Sequence, residues 1–134
     1  MKLKKIYEIF LNSSGVSIDT RTIEHDNIYF AIKGPNFNGN KFANDAIKKG
    51  AIYSVVDDEK LVEVNSKKII LVEDCLQTLT DLANFHRMKM DSKIIAITGS
   101  NGKTTTKELI NSVLSQKYNT VYTRGNLNNH IGVP

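Results

Sequence analysis

The run Thr98-Gly99-Ser100-Asn101-Gly102-Lys103-Thr104-Thr105 concentrates the residue types that hold phosphoryl groups. Glycines let a backbone approach an anion closely, and the free N–H groups and dipole at a helix start favour negative charge there. In such a loop Lys103 reaches the β- and γ-phosphates of a nucleotide as a point charge, and the Thr104 hydroxyl is the candidate ligand for Mg²⁺. Gly99, Ser100, Asn101, Gly102, Lys103, Thr104 and Thr105 are therefore the candidate cofactor-binding residues, with Lys103 as the catalytic cation. A glycine turn before an ordinary helix would explain Gly99 and Gly102. It gives no reason for a cation at the helix start, where the dipole opposes it unless an anion is bound. Ile97 stands where the general pattern G-x-x-x-x-G-K-[ST] has its first glycine.

A phosphate loop needs a strand before it and a helix after it. Ile94-Ile95-Ala96-Ile97 reads as the strand, Leu109, Ile110, Val113 and Leu114 mark the helix, and residues 120–123 read as a second strand, which together make one βαβ unit. Upstream, apolar residues at three and four predict a helix over 3–11, which Asn12 to Gly15 end. Strands are expected at 16–18, 28–32, 51–56 and 69–72. A helix bearing Phe42, Ala43, Ala46 and Ile47 closes at Gly50, and Asp74 is placed to cap another that carries Leu76, Leu79, Leu82, Ala83 and Phe85. The alternation defines an α/β fold, with a boundary near residues 88–92 that separates a domain at 1–90 from the start of a second at 91–134.

The net charge of +4 and pI near 9.1 would suit an anionic partner, but the lysines are scattered along the chain, so no nucleic-acid partner is expected. No stretch approaches the ~18 apolar residues of a membrane span, and the amino terminus lacks the basic tip and apolar run of a leader, which predicts a cytoplasmic protein with no membrane partner. Cys75 has no second thiol and reads as a semi-buried small apolar residue. His25, His86 and His130 show no ligand spacing.

A strand that ends in Ile-Thr-Gly-Ser-Asn-Gly-Lys-Thr-Thr resembles the shorter phosphate loop of the Mur ligases and their relative folylpolyglutamate synthase, in which the first glycine of the general pattern is absent. Asp19-Thr20-Arg21, the segment 27–34 ending in Gly34, Asn38-Gly39, Phe42, Ala46 and Gly50-Ala51 resemble, in order and spacing, the first domain of the Mur ligases whose precursors already carry two or three amino acids. By that resemblance the fold is a small UDP-substrate domain followed by the first βαβ unit of a P-loop ATPase-like central domain. Thr20 and Arg21 fall on the family's Asp-Ser-Arg positions, where a hydroxyl and an arginine fork suit a diphosphate or a uracil carbonyl. Asn38-Gly39-Asn40 stands where the family usually has Asp-Gly-His. The turn chemistry of Asn-Gly survives, since both residues tolerate positive φ.

Residues 123–134, with Asn126, Asn128 and Asn129, resemble the loop after the second central-domain strand in the branch of the family that adds D-alanyl-D-alanine. Their amides could serve the muramoyl or peptide part of the substrate; turn-forming asparagines are the plain alternative. The resemblance implies ATP and Mg²⁺ as cofactors, UDP-N-acetylmuramoyl-tripeptide as acceptor and D-alanyl-D-alanine as the incoming amine. It implies substrate binding by Thr20, Arg21, Gly34, Asn38, Asn126, Asn128 and Asn129. The adenine site, further magnesium ligands and dipeptide site of the family have no counterpart in these 134 residues, so ligase turnover by this chain alone is not expected. Two other readings stand beside this one: a neighbouring Mur ligase or folylpolyglutamate-type enzyme, and a stand-alone module that binds a UDP-sugar or nucleotide.

Overall fold

Lysines alternate with apolar residues at the amino terminus and coil into α1 (Lys2–Leu11), which buries Ile6. The computed structural model describes residues 2–61, 67–123, 125, 129, 132 and 133. The chain divides into two units, Met1–Met88 and Lys89–Pro134. In the first, α1 ends where the Asn12 side chain donates to the Glu8 carbonyl and the Ser13 hydroxyl to that of Phe10, so these polar side chains take over groups a further turn would have used.

A four-stranded parallel sheet is the centre of this unit. Its strands are β1 (Gly15–Ser17), β2 (Asn27–Phe30), β5 (Tyr53–Val56) and β6 (Ile69–Leu71), in the spatial order β1-β2-β5-β6. Every residue of β2 is buried, and Ile28, Tyr29 and Phe30 are at most 1 % exposed. Consecutive burial means that both faces are covered, as a parallel sheet requires. Helix α2 (Ala43–Lys48) lies against β5 through the buried Ala43 and Ala46, and the Ser54 hydroxyl donates to the Ala43 carbonyl at 2.8 Å. Helix α3 (Cys75–Lys89) buries Cys75, Leu79 and Leu82; it starts as expected at Asp74, whose carboxylate accepts the Gln77 amide at 2.8 Å. Aromatic contacts join α1 to α3, with Tyr7 edge-on to Phe85 at 4.8 Å and Phe10 edge-on to His86 at 4.9 Å. Cys75 is more deeply placed than expected: it is 1 % exposed, its thiol donates to the Val55 carbonyl, and burial pushes its pKa up to about 12.

The segment after β2 does more than break. The Ile32 amide turns back to the Phe30 carbonyl, after which β3 (Lys33–Gly34) pairs antiparallel with β4 (Phe37–Asn38) around Pro35 and Asn36. Asn38 has φ −127°, and Gly39 is not among the residues with positive φ, so the expected positive-φ turn does not form. The glycine is required for another reason. A Cβ at position 39 would stand 2.7 Å from the Ile32 carbonyl oxygen and 2.8 Å from the Ala31 carbonyl carbon, and backbone on both sides cannot yield cheaply. Gly39→Ala should therefore cost about 1–3 kcal/mol of stability, the usual range for overpacking. Urea unfolding followed by tyrosine fluorescence would measure it, and a midpoint equal to the parent's would refute the close approach.

Phe42, expected on the buried face of the following helix, is 38 % exposed and stacks on the 52 % exposed Phe37, with ring centres 5.5 Å apart and planes 9° from parallel. The chain forms a 3-10 turn at Gly39–Phe42 before α2 begins, which shifts Phe42 off the α2 stripe. Gly50 ends this region at φ 116°, the conformation for which a glycine was expected there.

The second unit contains α4 (Lys103–Leu114), but the strands expected at 94–97 and 120–123 are absent among the described residues. Ile94, Ile95, Leu109, Val113 and Val121 are all at least 59 % exposed. A buried parallel strand gains its stability from neighbours on both edges and helices on both faces, and one helix with two flanking segments supplies neither.

Candidate functional site

The phosphate-loop candidate forms the geometry its sequence calls for at the start of α4. Gly99 has φ 147° and Gly102 φ 78°, conformations that a side chain would resist. Gly102 is the N-cap residue of α4 and makes no side-chain cap bond to the helix start. The Thr106 amide bonds to the Gly102 carbonyl at 2.8 Å, so the amides of Lys103, Thr104 and Thr105 precede the first helical hydrogen bond. These N–H groups and an exposed Thr104 hydroxyl suit a phosphate chain with an associated cation. Lys103 is half-buried and donates back to the Gly99 carbonyl at 2.5 Å, which sets its ammonium over the loop. Ser100 and Asn101 are exposed at the loop tip. Among the described residues no three His, Cys, Asp or Glu side chains converge as a metal site.

In the first unit the candidate substrate residues lie beyond the carboxyl ends of parallel strands, where open α/β sheets bind ligands. After β1, residues 19–22 form a tight turn closed by the Thr22 amide on the Asp19 carbonyl at 3.1 Å. Arg21 wraps onto Asp19: its amide donates to Oδ1 at 2.9 Å, Nε to both carboxylate oxygens at 3.0 Å, and Nη2 to Oδ2 at 2.6 Å. The fork therefore has a fixed direction, although its side chain is 85 % exposed. Thr20 contributes its carbonyl to the Lys49 ammonium at 3.1 Å, and Lys49 also pairs with Asp45. Lys49 carried no signal in the sequence, because nothing in local spacing brings residue 49 to residue 20.

The hydrogen bonds from the Arg21 side chain, followed by its backbone amide, hold the Asp19 carboxyl down at about 2. Because the folded-state pKa lies below the ordinary ~3.9, the stabilisation is fully present above about pH 4 and is lost as pH falls through about 2. Carbon-detected NMR titration of the Asp19 carboxyl should show this midpoint, and Arg21→Ala should return it toward the ordinary value; an unchanged midpoint in the variant would remove Arg21 as the cause.

After β2, Gly34 sits exposed in the β3–β4 hairpin, and beside it Asn38 and Asn40 join a polar cluster at the end of β5. The Asn38 side-chain oxygen Oδ1 accepts from both the backbone amide and the side-chain amide of Asn40 at 3.0 Å. Asn40 is 1 % exposed; its side-chain Nδ2 donates to Asp57 Oδ1 at 2.7 Å and its side-chain Oδ1 accepts the Asp57 backbone amide at 3.1 Å. Lys33 completes the cluster at 2.8 Å from Asp57. Burial opposes the charge on Asp57, but the bonds from Lys33, Asn40 and the Cys75 amide outweigh it and keep the carboxyl below its ordinary value. Position 40, where the resembling family usually has histidine, thus holds the hairpin to β5, and Asn38 spends its side chain on that brace.

Of the asparagine loop, Asn126 and Asn128 lie outside the described residues. Asn129 forms a turn in which its side-chain oxygen accepts the Gly132 amide at 2.8 Å and its carbonyl accepts that of Val133 at 3.0 Å. Lys107 is a functional candidate that sequence reasoning passed over. Its side chain is 13 % exposed and donates to the Thr123 and Gly125 carbonyls. Its position four residues after Lys103 was the available signal, since that spacing puts both on one face of α4.

The first unit thus presents a parallel sheet with polar side chains beyond its carboxyl edge, and in the second a glycine-lysine loop opens a helix. Residues 12–87 match the Mur ligase family, catalytic domain, and residues 97–134 match the Mur ligase middle domain: the chain belongs to the Mur ligase family. Among curated relatives, the UDP-N-acetylmuramoyl-tripeptide--D-alanyl-D-alanine ligase of Bacillus subtilis is 38 % identical over 120 residues, a match that covers 90 % of this chain and 26 % of that protein. The ligase of the same name from Synechocystis is 42 % identical over 123 residues, covering 90 % of this chain and 27 % of its own length. A Thermotoga maritima MurF ligase solved in complex with ADP superposes with a TM-score of 0.77 at 31 % identity, over 92 % of this chain and 28 % of that one. An Acinetobacter baumannii MurF gives 0.80 at 30 % identity, over 98 % of this chain and 30 % of its own. The chain therefore spans about a quarter of the length of the curated relatives it matches.

Proposed function

We propose that this chain carries the UDP-substrate domain and the phosphate loop of a ligase that joins D-alanyl-D-alanine to UDP-N-acetylmuramoyl-tripeptide at the expense of ATP, in peptidoglycan precursor synthesis in the cytoplasm. The observation that carries this reading is the loop at residues 98–105, whose free amides, left-handed Gly102 and inward Lys103 suit a nucleotide triphosphate. The relatives' names support the choice of substrates. In such a reaction ATP phosphorylates the peptide carboxylate, the dipeptide amine attacks the acyl phosphate, and phosphate leaves. Charge neutralisation and positioning carry most of the catalysis. Lys103 is the cation over the β- and γ-phosphates, and the Thr104 hydroxyl is the ligand that Mg²⁺ would take from this chain, where the metal supplies further neutralisation of the phosphoryl oxygens. Residues 1–90 are the substrate domain of this reading and 91–134 the start of the nucleotide domain. Thr20, Arg21 and Gly34 face the UDP end of the acceptor, with Asn38 bracing the hairpin, and Asn126, Asn128 and Asn129 serve its muramoyl-peptide end.

Calorimetric titration tests the reading. MgATP and UDP-N-acetylmuramoyl-tripeptide are each expected to bind the 134-residue chain, and the acceptor should bind more tightly than UDP-glucose. Binding of neither, or no preference for the muramoyl ligand, would overturn it.

A further inference from the structure

Lys107 has surroundings that a lysine serving only to solvate a helix face does not acquire. Its ammonium donates to the Thr123 carbonyl at 2.5 Å and the Gly125 carbonyl at 3.0 Å, lies 3.3 Å from Glu108 Oε1, and sits 5.4 Å from the centre of the Tyr122 ring. Two carbonyls from a segment sixteen and eighteen residues downstream thus converge on one largely buried cation. A snorkelling lysine would place its ammonium in water and cover apolar surface with its stem; here the side chain is 13 % exposed and the ammonium is bonded to two backbone carbonyls. Thr123 and Gly125 stand at the entrance of the segment that continues to Asn129. One turn earlier on the same helix, Lys103 closes over the phosphate loop.

We propose that Lys107 is a positioning residue that fastens the entrance of the asparagine loop to the helix opened by the phosphate loop. The nucleotide's phosphates and the backbone at Thr123 and Gly125 are then registered by one element, α4. This rests on the reading of residues 98–105 as a phosphate loop. A helix is stiff over one turn, so an anion that orders its first residues also orders whatever Lys107 holds. In Lys107→Met the stem keeps its length and the donors are lost, whereas Lys107→Arg keeps a charge and enough N–H groups for two carbonyls.

Backbone ¹⁵N relaxation and a MgATP titration on the 134-residue chain test this. In the parent, Thr123 and Gly125 should show order parameters near the rigid value of ~0.85, and in Lys107→Met these should fall below about 0.6 while α4 stays rigid; Lys107→Arg should recover most of the difference. Equal values in parent and Lys107→Met would overturn the proposal. MgATP should move the amide signals of residues 99–105 and also those of Thr123 and Gly125 in the parent, and only the first group in Lys107→Met. Should that variant lose α4 itself, the parent titration decides, because signals at Thr123 and Gly125 that ignore a bound nucleotide would overturn the coupling. Signals at residues 99–105 that ignore MgATP would overturn the phosphate-loop reading alone, since the relaxation result involves no nucleotide.

Discussion

Lys103→Ala is expected to weaken MgATP binding roughly ten- to a hundredfold, while Lys117→Ala, which removes the same charge beyond the far end of α4, should change it less than about twofold. The effect corresponds to about 1.5–3 kcal/mol, the usual worth of a charge-assisted hydrogen bond. The geometry explains the contrast. Lys103 is half-buried over the loop, and its ammonium reaches back to Gly99, so it sits where the phosphates would lie. Lys117 lies over the exposed Tyr118 ring at 5.8 Å and follows the last helical residue, Leu114. Lys107 is unsuitable as a neutral control because it is bonded to Thr123 and Gly125. Calorimetry at one fixed salt concentration would compare the proteins, and equal losses in both variants would reduce the loop to general basic charge.

Arg21→Ala is expected to weaken UDP-N-acetylmuramoyl-tripeptide binding by a similar ten- to hundredfold, against little change in Lys48→Ala. Three of the fork's bonds go to Asp19, and the guanidinium retains further N–H groups for a diphosphate. Asp19 fixes the fork's direction, so less ordering is left for the ligand to impose. Arg21→Lys should recover little, because an ammonium cannot reproduce the fork on both partners. Lys48 is exposed on the last turn of α2 and offers the same charge without that orientation. Titration of the variants with the muramoyl ligand decides the matter, and equal affinities would leave Asp19-Thr20-Arg21 a surface turn.

Local chemistry in the sequence determined much of the first unit. The apolar spacing of α1, the cap at Asp74, the glycine at position 50 and the buried runs of β2 and β5 each stand where their residue types require, because each depends on neighbours within a few positions. The phosphate loop was legible for the same reason: its glycines, its cation and the helix it opens are contiguous.

What only the tertiary structure decided depends on pairs far apart in the chain. Gly39 is needed because Ala31 and Ile32 pass beside it, Asn40 because Asp57 closes the cluster, and Lys49 matters through Thr20. Phe42 left its expected stripe when the preceding turn tightened, and Lys107, which the sequence reading did not single out, meets carbonyls sixteen and eighteen residues later. The strands expected at 94–97 and 120–123 failed for the same physical reason in reverse. Their apolar residues suit a buried parallel sheet, but a strand is defined by the neighbours that satisfy its backbone, and among the described residues none pairs with these segments.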